Sequence, residues 1–274
     1  MPNSLLFREI MNLNRDRSAY LMACLFVGAV IGVQVLPLGY TAAGAAGLLL
    51  LSMFRPHASY RGAAAATAAY MAGYVIYTCL VPLFHALPGD REAVISLSRL
   101  SLIGFLVPFY FANRMDPPRV NYLKRGSFRE TIYFPFIFSG FLRDPIWRFL
   151  LIFAAVTLTA FVWVMDWKQA NLGRILLYAL LFAAINAPLE EVLWRGYVLS
   201  RFTDRLGETR GLLAMALGFG FYHYSLGFPW SICALFSFFG LLMGGVAVRS
   251  RGLLPVILLH FWMNVLFVLG GIVF

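Results

Sequence analysis

Charge is scarce in this chain. Asp, Glu, Lys and Arg make up only 12% of its 274 residues, about half the roughly 25% of a soluble domain. That scarcity excludes a soluble single-core globule and a disordered chain. Cysteine is scarce too. Cys24, Cys79 and Cys233 are the three; they fall in apolar runs without a CxxC pair, so a secreted disulfide scaffold is excluded and they read as small buried hydrophobes. Segments of ~10 residues with alternating hydrophobicity are missing, which excludes a β-barrel. Internal repeats and low-complexity tracts are missing as well.

What is present is apolar. Hydrophobic residues reach 61% and mean hydropathy is +0.78. A spanning helix needs roughly 17–25 mostly apolar residues. Nine runs qualify or nearly qualify, at about 20–36, 40–54, 62–84, 95–113, 149–165, 175–193, 211–226, 230–248 and 253–273. The expected fold class is all-α, a polytopic transmembrane bundle of about eight or nine spanning helices. The apolar stretch 131–142 is too short to span and reads as an interfacial or re-entrant piece. Residues 1–113 form an N-terminal four-helix membrane part, 114–148 a basic interfacial segment, and 149–274 a C-terminal membrane part. About 19 polar residues precede the first run, so that run reads as a span and not as a cleaved signal. Gly28 with Gly32, and Gly240 with Gly244, have the small-xxx-small spacing of closely packed helices.

The net charge of +10 does not imply a nucleic-acid partner, because the basic residues sit between apolar runs. Of the 22, 18 fall on 1–19, 55–61, 114–148, 195–210 and 249–251, and four (Arg91, Arg99, Lys168 and Arg174) on the opposite side. The positive-inside rule then places the N-terminus in the cytosol and the C-terminus outside. In a prokaryote the membrane is the plasma, or inner, membrane. The loops 114–148 and 195–210 also suit anionic lipid heads.

Ionisable groups at membrane depth cost about 2.5–3.5 kcal/mol each on insertion scales, so each needs a reason. Glu190 and Glu191 follow the uncharged run 175–189. Arg195 lies four residues beyond Glu191, at ion-pair spacing on a helix. Glu190 points about 100° away, on the face of Asn186, and is the freer carboxylate, suited to a general base. Taken alone, the pair is equally well a charge cluster closing the inner helix end. His57 lies in a basic loop and His85 at an outer helix end. His223 and His260 lie within apolar helices, and Asn264 follows His260 by one turn. A lone intramembrane histidine more often bonds a neighbouring helix than reacts; two of them alongside a glutamate pair shift that balance. The depths place Glu190, His223, His260 and Asn264 in the inner half of the bilayer.

Three motifs now stand in order: Glu190-Glu191-x-x-x-Arg195-Gly196, Phe219-x-x-x-His223 and His260-x-x-x-Asn264. They resemble those of the CAAX-protease and bacteriocin-processing (CPBP) family, which includes the Ras-converting CAAX endopeptidases. Leu253-Leu254-Pro255-Val256-Ile257 before His260 adds to the likeness, which covers about 175–268. The resemblance implies an intramembrane endopeptidase of the glutamate type acting on a membrane-tethered protein or peptide. It implies that Glu190 and His223 activate a water, that His260 and Asn264 stabilise the oxyanion, that Glu191 and Arg195 hold the helix end, and that Phe219 shapes the pocket. It implies no metal. A zinc site built from Glu, His, His and Asn is the lesser reading, since HExxH is missing. The alternative function is a non-proteolytic relative: acyl transfer on a lipid or lipoprotein, or an immunity or scaffold role. Topology is open to direct measurement. Reporter fusions at residue 125 and after residue 274 are expected to report opposite sides of the membrane; the same side for both means that one helix has been miscounted.

Overall fold

The computed structural model describes residues 20–54, 58–165, 167 and 171–274. The polar stretch 1–19, His57 and Lys168 lie outside them. The chain is all-α apart from one small hairpin. Helix α1 covers Tyr20–Val35, α2 Leu38–Phe54 and α3 Ala58–His85. Helices α4 (Arg91–Ser98) and α5 (Ile103–Met115) are joined by a 3-10 turn, Arg99–Leu102. Strands β1 (Thr131–Pro135) and β2 (Gly140–Pro145) precede α6 (Ile146–Phe161) and α7 (Leu172–Glu191). A π-helical segment, Val192–Leu199, leads into α8 (Ser200–Leu206). Then come α9 (Glu208–Tyr222), a 3-10 turn (His223–Leu226), α10 (Trp230–Ser250) and α11 (Leu254–Leu269). Among the described residues, Arg61–His85, Arg91–Met115, Leu172–Leu206 and Trp230–Ser250 are long and apolar enough to cross a membrane, and four shorter apolar helices accompany them. This is a multi-pass membrane protein.

The residues form two compact units that do not follow chain order. One takes the described residues of Met1–Ala72 with Pro108–Val120 and Val198–Leu241. Its core sets the Phe26 ring against Tyr70, with centroids 5.7 Å apart, and against Phe202 at 4.5 Å. Helix α8 was expected to be part of a cytosolic loop, 195–210. It is helical to Leu206 because its charges are met. Arg201, 1% exposed, donates to Asp116 Oδ2 at 2.9 Å and to Asn113 Oδ1 at 2.8 Å; Arg205 shares the same Asp116 oxygen at 2.7 Å. Gly240 packs against Ala216 so closely that a Cβ would lie 3.0 Å from its Cα, whereas a Cβ on Gly28 would meet nothing within 4 Å. The helix-packing role expected of Gly240 therefore holds, whereas Gly28 has no such neighbour among the described residues. Cys24 and Cys79 are exposed on their helices, and only Cys233 is buried.

The other unit comprises Gly73–Val107, Asn121–Tyr197 and Leu242–Phe274. Here α7 packs along α11. Small residues Ala179 and Ala183 on α7 admit Val265 and Val268 of α11, with Phe182 beside them. Helix α4 and the turn after it pack on α7 as well. Trp262 on α11 donates through Nε1 to Thr157 Oγ1 of α6 at 2.9 Å. At the start of α11 the main chain of 124–127 runs beside 250–254. Leu253 N donates to Lys124 O at 2.8 Å, Leu254 N to Arg125 O at 2.9 Å and Ser127 N to Ser250 O at 2.8 Å.

The stretch 131–142 is neither span nor helix. β1 and β2 pair antiparallel, with Thr131 opposite Pro145. Thr131-Ile132-Tyr133-Phe134 is β-branched and aromatic, the chemistry that favours a strand. Ile137 at the tip adopts φ 63° and seats against Gly245, where a Cβ would come within 2.9 Å of its Cγ2.

Helices α3 and α5 touch through Gly73 and Gly104. A Cβ on Gly104 would lie 2.7 Å from Tyr77 N, and one on Gly73 would lie 2.7 Å from Phe105 Cα. Gly104→Ala is expected to destabilise by about 1–3 kcal/mol, the usual cost of overpacking. Gly28→Ala should leave stability unchanged or raise it by roughly 0.5–1 kcal/mol, the helix preference for Ala over Gly. Thermal unfolding of the two purified variants in the same detergent checks the contrast.

Candidate active site

The last turn of α7 carries two carboxylates, and their surroundings differ because helix geometry turns successive residues by about 100°. Both are buried: Glu190 is 1% exposed and Glu191 is fully enclosed. A buried charge survives only if it is paired and hydrogen-bonded, and each glutamate has found a cation.

Glu191 Oε1 accepts from Arg195 Nη1 at 2.8 Å, the contact that the i,i+4 spacing predicts. The same oxygen accepts from His260 Nδ1 at 2.7 Å. With Nδ1 committed to Glu191, the His260 ring is held in orientation and its Nε2 points at Glu190 Oε2, 3.7 Å away. A carboxylate that fixes the far nitrogen of a histidine sets which nitrogen is presented. His260 is therefore wedged between the two glutamates, brought there by the α7–α11 packing described above.

Glu190 was expected to be the freer carboxylate, and here a cation from outside its own helix meets it. Arg99 Nη2 donates to Glu190 Oε1 at 2.6 Å, and Arg99 Nε donates to Asn186 Oδ1 at 2.6 Å. Arg99 was counted among the basic residues of the outer side; it is 7% exposed and sits in the 3-10 turn between α4 and α5. Its position inside the apolar run 95–113 was the available signal. The site thus includes one residue, Arg99, that the motifs do not contain.

Asn264 lies one turn beyond His260 on α11. It is 4% exposed, and its Nδ2 has no hydrogen-bond partner among the described residues. A buried amide donor left unmet is costly, and it is a group that a transient oxygen anion would satisfy.

His223 and Phe219 belong to the other unit. His223 was expected inside the helix 211–226, but α9 stops at Tyr222 and His223 opens a 3-10 turn. Gly227 closes that turn at φ 92°, a backbone state that suits glycine, and Pro229 follows. His223 Nδ1 hydrogen-bonds Phe219 O at 2.8 Å. Its ring stacks on Phe236 with centroids 4.0 Å apart and meets the Phe219 ring edge-on at 4.8 Å. His223 is 7% exposed. Among the described residues no group of three or more His, Cys, Asp or Glu side chains has the arrangement of a metal-ligand set.

The segment that follows the glutamates is a π-helix, a rare form that is frequent at functional sites. Trp194 and Arg195 within it are fully buried. Gly196 lies against the end of the Leu123 side chain, which would have to shift to admit a Cβ there.

No curated protein and no solved structure matches the chain. A family model does. All three motifs lie inside its span, and so do every named residue of the glutamate–histidine cluster except Arg99 and the turn that carries it. Residues 171–266, roughly a third of the chain, match the Rce1-like family, described as type II CAAX prenyl endopeptidase Rce1-like.

Proposed function

We propose that this membrane protein is an intramembrane endopeptidase of the glutamate type. Its substrate is a membrane-tethered protein or peptide, cut near a C-terminal tail. The observation that carries the reading is the buried cluster in which His260 contacts Glu191 at 2.7 Å and faces Glu190 at 3.7 Å, within a segment that matches a family of CAAX prenyl endopeptidases.

In this reading Glu190 accepts a proton from a water molecule, the step in which the motif resemblance gives His223 an assisting role. The water oxygen attacks the scissile carbonyl carbon, and the carbonyl oxygen becomes an anion. Asn264 Nδ2–H donates to that anion, joined by His260 Nε2–H when the ring carries both protons. Glu190 then passes its proton to the leaving amine, and the C–N bond breaks. The neutral Asn264 donor suits this work, because an amide costs far less to bury than a charge. Glu191 and Arg195 neutralise one another and fix His260. Phe219 holds the His223 ring from its edge. No metal takes part. The placement of basic residues supports a cytosolic N-terminus.

The two glutamates are expected to fail differently. Glu190→Ala should abolish cleavage while the protein still inserts and folds. Glu191→Gln leaves Arg195 buried and uncompensated, which typically costs about 3–5 kcal/mol, and should show first as lost expression and a lower Tm. Near wild-type cleavage by purified Glu190→Ala protein removes the assignment. Asn264→Ala should lower kcat by about 10²–10³, the usual effect of deleting one oxyanion donor, with little change in Tm. Mass spectrometry of a membrane-tethered peptide reporter provides the readout. Activity is also expected to survive strong chelation and exhaustive dialysis; loss on chelation with recovery on stoichiometric zinc would turn the mechanism into a metalloprotease's.

A further inference from the structure

Arg99 lies outside the motif triplet and outside the family match, yet it makes one of the shortest polar contacts in the unit. Three residues of α7 at four-residue spacing, Phe182, Asn186 and Glu190, form one stripe, and the Arg99 guanidinium lies across it. Its Cζ is 5.9 Å from the centre of the Phe182 ring. Its Nε is held by Asn186 Oδ1 and its Nη2 by Glu190 Oε1, each at 2.6 Å. The planar fork of an arginine can bind two acceptors at a fixed separation, which a lysine ammonium cannot do. The hydroxyl protons of the neighbouring serines go to main-chain carbonyls. Ser96 Oγ donates to Glu92 O at 2.7 Å, Ser98 Oγ to Ile95 O at 2.7 Å and Ser101 Oγ to Ser98 O at 2.5 Å. Arg99 therefore enters the site from a 3-10 break in an otherwise α-helical segment, a local irregularity that often marks a functional position.

We propose that Arg99, steadied by Asn186, is a positioning residue for Glu190. By occupying Oε1 it fixes the rotation of the carboxylate and presents Oε2 on the side of His260. Among the described residues the charged or titratable groups that face Glu190 include Arg99 on the turn before α5, Glu191 on α7, Arg195 on the π segment and His260 on α11. This inference rests on the reading of Glu190 as the base, and it names what aims that base.

The test uses the full chain in lipid nanodiscs, with Arg99→Lys, Arg99→Gln, Asn186→Leu, Glu190→Gln and the Arg99→Gln/Glu190→Gln double variant. The carboxylate stretch of Glu190, identified in ¹³C-glutamate-labelled protein as the infrared band lost in Glu190→Gln, should shift in all three single variants at Arg99 and Asn186. The double variant should melt at a higher temperature than either of its single parents, since it leaves no lone buried charge. On a quenched fluorescent farnesylated C-terminal peptide, Arg99→Lys should keep Tm within a few degrees of wild type. Its kcat should fall at least 30-fold, with KM changed less than threefold. An unmoved infrared band, or a double variant less stable than its parents, overturns the tether. So does wild-type kcat in Arg99→Lys, or a change confined to KM. Glu190→Gln separates the two readings: if it cleaves at the wild-type rate, the base assignment fails whatever the band does, whereas an inactive Glu190→Gln with an unmoved band removes the tether alone.

Discussion

Two adjacent carboxylates enclosed by protein at the end of an apolar helix are the constraint around which this structure is arranged. Neither can be left without a counter-charge, since an isolated ion in a low-dielectric interior costs several kcal/mol even after relaxation. Because neighbours on a helix face different directions, one cation cannot serve both. Arg195 from the same helix meets Glu191, and Arg99 from a distant turn meets Glu190. His260 on α11 fills the space between them. The α4–α5 turn, α7 and α11 must therefore pack in one arrangement for the charges to balance. The small residues Ala179 and Ala183 make that approach sterically possible.

The pairs differ in what they demand of the chain. Glu191 and Arg195 are four residues apart, so local helix geometry is enough to form them. The Arg99–Glu190 contact joins residues 91 positions apart and exists only once the unit has folded. Buried ion pairs add little net stability, but an alternative packing of α7 would strand a charge. The fork on Asn186 adds a directional requirement that an ammonium would not impose.

This difference also marks what the sequence could disclose. The membrane class, most helix positions and the Glu191–Arg195 contact follow from composition, run length and four-residue spacing. Arg99 escaped because charges were sorted into loops by side of the membrane, although it lies inside an apolar run. The helical character of Ser200–Leu206 was hidden for a related reason: the basic residues Arg201 and Arg205 look like a loop until Asp116, 85 positions from Arg201, is seen to meet them. The hairpin at 131–145 was legible as too short to span but not as strands, since its pairing is set by Gly140 and the seat for Ile137. The end of α9 at Tyr222 was signalled by Gly227 and Pro229, but the apolar text around His223 reads as continuous helix.

The junction of 124–127 with the first turn of α11 is held by main-chain hydrogen bonds, with Gly126 and Gly252 at closest approach. A Cβ on Gly126 would lie 3.0 Å from Gly252 Cα, and Gly126 itself takes φ 81°. No side chain takes part in these bonds, so the joint itself places no demand on the side chains of Lys124 and Arg125. It does constrain the two glycines. Divergent chains built on this plan are therefore better aligned by that glycine pair than by the basic residues beside it, and one residue inserted between Gly252 and His260 would turn His260 by about 100° about the axis of α11, away from the two glutamates.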